Sequence, residues 1–352
     1  MTTPRFGGRV ETLEGSIQVP TPGREGAGRP FLAETNEFLL RARARSAAWK
    51  AGTATLPEAA RVGAPYIRDG RPQGLYDYCL PAEFADYNLL AGGRGPALGY
   101  FARESIAWHQ PTASGPTNHL LSSQVQCVNA LEPMSTKPAL LVAAFEKALD
   151  VVEPLEVDPG RFVAFEYIGQ RDYLGEVGSG RRVRGSMTTS ADAAIRYRNS
   201  DGSIEIALIE WKYCEDYRGL ELSAGRHGNR QDRYRALWKA ADCPVRTDLI
   251  PYGDLFVEPF YQLFRQQLLA HEMEKAHEGA AAAVRVLHVS PATSSALRSS
   301  LNRDSHRDAG CDVFAIWRAM VRDSERFVTL DAAALCDSTI TGPDYVDRYG
   351  HQ

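Results

Sequence analysis

The most informative pattern of hydrophobic and polar positions in the chain lies between Thr188 and Tyr213. Ala191, Ala193, Ala194, Ile195 and Tyr197 mark one strand; Ile204, Ile206, Ala207, Leu208, Ile209 and Trp211 mark a second. The polar run Asn199-Ser200-Asp201-Gly202 separates them. A glycine closing a short polar loop predicts a three-residue hairpin with Gly202 in the left-handed region. Asn199 then pairs with Ser203, and counting back along both strands sets Asp192 opposite Glu210. Opposed residues share a face and side chains repeat with period two, so Asp192, Glu210 and Lys212 converge. The unbroken run Ile206-Ala207-Leu208-Ile209 predicts a strand covered on both faces.

Apolar residues at helical spacing predict helices over 34–50, 118–131, 139–151, 230–241, 258–275 and 312–322. Pro138 suits the first position of the third of these, and Asn118 or Ser122 stands near the start of the second. Alternation predicts strands over 161–168, 284–289 and 326–330. Residues 1–30, rich in Gly, Pro, Thr and Arg, read as an irregular or mobile arm. Residues 31–117 read as a helical and loop-rich N-terminal region, and 118–352 as the domain that carries the hairpin. Within the first region Arg41, Arg43, Arg45 and Lys50 read as a solvated helix face. Gly92-Gly93-Arg94-Gly95 reads as a turn, because it has neither the Lys-Ser/Thr of a phosphate loop nor the G-x-G-x-x-G spacing.

The charges at the end of the second hairpin strand change the picture. Charged groups on an interior strand cost several kcal/mol of desolvation unless they are paired or hold a metal. Two opposed carboxylates repel, which raises one pKa, and a divalent cation relieves the repulsion. Asp192, Glu210 and Lys212 therefore read as a Mg²⁺ site, with a structural Glu–Lys pair at a strand edge as the alternative. Asp192 followed eighteen positions later by Glu210-x-Lys212, at the end of an apolar strand, resembles the PD-(D/E)XK superfamily of restriction-endonuclease-like nucleases. Ala191 stands where the superfamily name has proline. The resemblance covers roughly residues 136–300. Ser122-Ser123-Gln124…Asn129 and Phe165-Glu166-Tyr167 also resemble uncharacterised bacterial families of restriction-endonuclease type.

The resemblance implies an α/β fold with an αβββαβ core, a mixed central sheet flanked by helices, and N-terminal decoration. It implies a Mg²⁺-dependent endonuclease, with Mn²⁺ able to substitute, that hydrolyses phosphodiester bonds, DNA being the expected substrate. Asp192 and Glu210 would hold the metal, and Lys212 would orient the attacking water or stabilise charge on the phosphorus. An upstream acid is often added; Glu166, mid-strand in an apolar setting, is preferred over Glu176 in a Gly-rich loop. Restriction or phage defence is the implied setting, which leaves room for a homodimer and for partner proteins of a defence system. The alternatives are a repair or recombination nuclease on structured DNA, and a non-catalytic nucleic-acid-binding protein with a nuclease-like fold.

Two basic clusters flank the expected site: Arg181, Arg182 and Arg184 before the Asp192 strand, and Arg226, Arg230, Arg233, Arg235 and Lys239 after the Glu210 strand. Arg182, Arg184, Arg230 and Arg233 are candidates for phosphate contact, with a solvated face as the alternative. The net charge of −4 gives no global basic field, so any nucleic-acid affinity rests on such local patches. Six cysteines without a C-x-x-C suit reduced cytoplasmic thiols better than disulfides or a zinc ribbon. No apolar run of about 18 residues predicts a membrane span. His271 and His277 are six apart and cannot share the face that H-E-x-x-H needs. His109, His119 and His288 are isolated and read as core or surface residues.

Overall fold

The structure, a computed structural model, describes residues 36–113, 115–177, 180–186, 188–220 and 227–350. The arm expected over residues 1–30 and Arg226 of the second basic cluster lie outside the described residues. Asn36–Gln352 form one compact unit. Strands β1 (Ala64–Arg68) and β2 (Arg71–Tyr76) make a small antiparallel hairpin. The other strands form one sheet: β3 (Glu153–Leu155), β4 (Val163–Tyr167), β5 (Ala191–Arg198), β6 (Ile204–Trp211), β7 (Ala283–Ser290) and β8 (Phe327–Asp331). On one side β5 pairs antiparallel with β6; on the other it pairs antiparallel with both β3 and β4. β6, β7 and β8 run parallel, so the sheet is mixed.

Helices α1 (Glu37–Gly52), α2 (Ala91–Arg103), α3 (Ser123–Leu131) and α4 (Pro138–Leu149) precede the sheet's long strands. Helices α5 (His227–Lys239) and α6 (Phe260–Lys275) lie between β6 and β7. The short helices α7 (Ser295–Arg298), α8 (Asp304–Ala309), α9 (Val313–Met320) and α10 (Pro343–Tyr349) follow. The sequence α4-β4-β5-β6-α6-β7 is the expected αβββαβ order. Ser122 caps α3, its hydroxyl accepting from the Val125 N–H, and Pro138 opens α4.

The hairpin has the expected register. Gly202 has φ +83°, its N–H donates to the Asn199 carbonyl, and the Asn199 N–H donates to the Ser203 carbonyl. Cα pairs run from Arg198–Ile204 back to Ala193–Ile209. Odd-numbered residues of the hairpin, such as Ile195 and Ile209, join the core that includes α2, α3 and α4. Even-numbered ones, such as Ala194, Ile206 and Leu208, join the core beneath α6 and α9.

Two expectations about the N-terminal region are corrected. The glycine run 92–95 is helical, not a turn. Ala97, Tyr100 and Phe101 of α2 are buried, and Phe101 stacks on Trp108 with ring centroids 3.7 Å apart. That packing outweighs a cost of about 1 kcal/mol per glycine. Lys50 is buried rather than solvated; its ammonium donates to the carbonyls of Val62 (2.8 Å) and Cys79 (2.9 Å). Beyond β8, α10 packs back onto the N-terminal region. Arg348 of α10 is buried and donates to the Asn88 carbonyl (2.7 Å), the Asn88 amide oxygen (2.6 Å) and the Leu120 carbonyl (3.1 Å). Its guanidinium also lies over the Trp49 ring. Among the described residues no helix is long and apolar enough to cross a membrane.

Candidate active site

The hairpin ends where three strands bring carboxylates into one row. The pairs Phe165–Ala193 and Tyr167–Ala191 bracket the position where Glu166 of β4 meets Asp192 of β5. The pair Ala193–Ile209 precedes the position where Asp192 meets Glu210 of β6. Asp192 and Glu210 share one parity, and all three acids line one cavity together with Lys212. The Lys212 backbone N–H donates to the Val289 carbonyl (2.9 Å), which carries the β6–β7 pairing one residue past the strand.

Each carboxylate is held by a neighbour. Asp192 accepts from the Trp211 N–H (2.7 Å). Glu210 accepts from the Lys212 ammonium and from the side-chain amide of Gln266 on α6. Glu166 accepts from the Gln124 amide on α3 (2.6 Å) and the Ser190 hydroxyl (2.9 Å). Glu166 also has φ +49°, a left-handed conformation that a non-glycine residue adopts only under constraint from its surroundings.

The row concentrates charge in a dry place. Glu166, Glu210 and Lys212 are all less than 10 % exposed. Desolvation raises the Asp192 carboxyl well above the usual range, and the charges of Glu210 and Glu166 add to it. Desolvation likewise raises Glu166 to about 6, against the opposing effect of its Gln124 and Ser190 hydrogen bonds. Burial works against the Lys212 charge. The Glu210 carboxylate, with smaller help from Tyr217, Asp192 and Glu215, more than offsets this and holds the ammonium well above the usual lysine range.

Three acids face one ammonium, and their oxygens are the hard donors that Mg²⁺ and Mn²⁺ prefer. The donor chemistry therefore fits such a cation. The side-chain arrangement is a metal-free one: among the described residues, no group of three or more His, Cys, Asp or Glu side chains is set to hold a metal. Glu210 in particular is turned to Lys212 and Gln266.

The basic candidates are not brought to the row. Arg184 is largely buried and forms an ion pair with Asp158 (2.8 Å); it also donates to the Tyr100 hydroxyl (2.9 Å) and the Phe165 carbonyl (2.9 Å). Arg182 donates to the carbonyls of Ile168 and Gly169. Both side chains fasten the segment before β5 to β4, so neither is placed to receive phosphate. On α5, Arg230 lies over the Tyr261 ring and Arg233 is exposed. Glu176 accepts from the Thr189 N–H, the Thr189 hydroxyl (2.7 Å) and the Tyr234 hydroxyl (2.6 Å), a structural clamp outside the cavity.

The cavity has a volume of about 580 Å³, and another part of its wall is built by residues that precede α3: Tyr66, His109, Thr117, His119 and Leu121. Sequence reasoning missed this wall, and it missed Gln124 and Gln266. The triplet Ser122-Ser123-Gln124 was the available signal for one of them. His288 pairs with Glu210 across β6 and β7; it is buried, and desolvation holds it well below the usual histidine range. It is a core residue, as expected.

A mixed sheet with this row at the end of its central hairpin defines a protein of the restriction-endonuclease type. The chain matches the model of the family described as restriction endonuclease associating with ARP over residues 43–350, and it belongs to that family. No curated protein and no solved structure matches the chain significantly.

Proposed function

We propose that the protein is a divalent-metal-dependent endonuclease that hydrolyses phosphodiester bonds in DNA. The observation that carries this is the row Glu166–Asp192–Glu210 beside Lys212, lining one cavity at the end of the central hairpin of a restriction endonuclease family member. Asp192 and Glu210 would hold the cation, with Glu166 as the added acid. Bound there, Mg²⁺ or Mn²⁺ would neutralise the row, polarise a phosphoryl oxygen and activate water for attack. The residues have separate tasks. Lys212 keeps its proton and presents a fixed positive charge where charge develops on the phosphoryl group. Gln266 and Gln124 hold the two glutamates from opposite helices. Burial raises the Glu166 carboxyl in the metal-free site, and a bound cation would favour its charged form. Arg230 and Arg233 of α5 are proposed to touch the phosphates of the flanking strand.

The setting we propose is restriction or defence, where the family description adds an association with ARP. The test is incubation with plasmid, linear and single-stranded DNA in Mg²⁺, Mn²⁺ or EDTA. Cleavage in either metal and none in EDTA is the expected result; no cleavage of any substrate refutes the proposal. A second reading, a binding protein that has lost metal competence, is favoured by the saturation of Glu210 by Lys212 and Gln266. Calorimetric titration with Mg²⁺ or Mn²⁺ distinguishes the two, because that reading requires no uptake.

A further inference from the structure

The two sides of the cavity differ in chemistry. One carries the carboxylates and Lys212; the other carries Tyr66, Thr117, His119 and Leu121. This second wall is aromatic. The Tyr66 and His119 rings meet edge to face at 4.8 Å, Tyr78 meets His119 at 5.2 Å, and Tyr76 stacks on Tyr78 at 5.1 Å. The side chains that line the cavity on this wall are uncharged; Arg43, a cation beside it, lies over the Tyr78 ring. Desolvation, reinforced by Arg43, holds His119 down to about 4, and desolvation raises the Tyr66 hydroxyl. The Leu121 N–H donates to His119 Nδ1 (3.2 Å), which leaves the ring proton on Nε2.

A wall built for phosphate would present cations. A neutral aromatic wall with a fixed N–H donor suits a nucleobase, which offers a stacking face and acceptor edges. The volume agrees. About 580 Å³ lies within the roughly 300–1,000 Å³ of cavities that enclose one small ligand, and it is far too small for a turn of duplex. We infer that the cavity takes one unstacked nucleotide, its base against the Tyr66–His119 wall and its phosphate at the carboxylate row. This deepens the nuclease reading and rests on it. The preferred substrate is then DNA in which the target nucleotide is unpaired or readily drawn from the stack, because extrusion is least costly there.

The test uses the full chain and labelled oligonucleotides of one sequence: a single strand, a duplex with one mismatched central pair, and a matched duplex. Anisotropy is measured with Ca²⁺ replacing Mg²⁺, so that binding is read apart from turnover. Wild type should bind the first two at least about tenfold more tightly than the matched duplex. Tyr66→Leu, which removes the ring but keeps an apolar side chain, should erase that preference, and Tyr66→Phe should keep it. Equal or tighter binding of the matched duplex by wild type overturns the inference. So does a Tyr66→Leu protein, folded by its melting curve, that weakens on all three substrates alike. Failure of the nuclease reading looks different: no substrate is cut in Mg²⁺ or Mn²⁺, whatever the binding order.

Discussion

Replacing Lys212 by Met separates catalysis from structure at the carboxylate row. The substitution keeps the apolar stem and removes the charge. Two magnitudes follow. If the ammonium stabilises developing phosphoryl charge, its loss should lower the cleavage rate about 10²–10³-fold, equivalent to about 2.7–4 kcal/mol. Lys212 is also the buried partner of Glu210, and removing one member of a buried pair typically costs about 3–5 kcal/mol of stability. The low end, about 3 kcal/mol, is expected here. Gln266 still donates to Glu210 and so keeps one of its two partners in place. A divalent metal at about 100 times its Kd would return about 2.7 kcal/mol by linkage. Wild type gains from the metal as well, so the variant should melt well below wild type in EDTA and should recover in Mg²⁺ only to about the melting temperature that wild type has in EDTA. Single-turnover cleavage with protein in excess, normalised to folded fraction, reads the rate. A rate per folded molecule near that of wild type refutes the catalytic role. An unchanged melting temperature in EDTA refutes the buried pair.

Asp192→Ala and Glu210→Ala should each abolish cleavage while the fold survives, and neither should gain melting temperature from Mg²⁺ as wild type does; an equal metal response in all three proteins would sink the metal assignment. Arg233→Ala should weaken DNA binding across sequences and reduce the log–log salt slope by about 0.9, whereas an unchanged slope returns Arg233 to a solvated face. Arg184→Ala should instead destabilise by about 3–5 kcal/mol, since Asp158 and the Phe165 carbonyl lose their partner; chemical denaturation reads this. Glu205, paired with Arg285 at 2.6 Å, has its carboxyl below the usual range: burial raises it, but the hydrogen bonds from Arg285 and Tyr197 outweigh that. Its stabilisation is thus present above the ordinary glutamate value and fades as pH falls through the depressed one. Glu205→Gln should cost about 1–3 kcal/mol at neutral pH and converge with wild type in acid; parallel pH curves would refute this.

Local signals made the hairpin legible. Gly202 fixed the loop, the loop fixed the register, and the register set Asp192 against Glu210. Ser122 and Pro138 likewise marked helix starts through backbone needs that one residue satisfies. Glu166 stood out because an acid in Phe165-Glu166-Tyr167 contradicts its surroundings. What stayed hidden depends on partners distant in the chain. Nothing near Gly92 says that Tyr100 and Phe101 will anchor a helix through it. Lys50, Arg184 and Arg348 look like ordinary surface cations until carbonyls from other segments enclose them. Gln124 and Gln266 are neutral amides whose meaning comes only from the carboxylate each one meets.

The backbone at Glu166 has a consequence for any attempt to harden this protein. A left-handed φ at a non-glycine residue costs on the order of 1 kcal/mol or more, and here it coincides with a buried acid. Glycine at position 166 would relieve the strain and the desolvation together, at the loss of the side chain. Random libraries screened only for heat resistance should therefore collect changes at 166, but not at 210, where loss of the acid would strand the buried Lys212 charge, and the survivors should be sturdier and inert. Selection in a host threatened by foreign DNA would remove the same variants. An acid retained at position 166 in natural relatives would then record use rather than foldability.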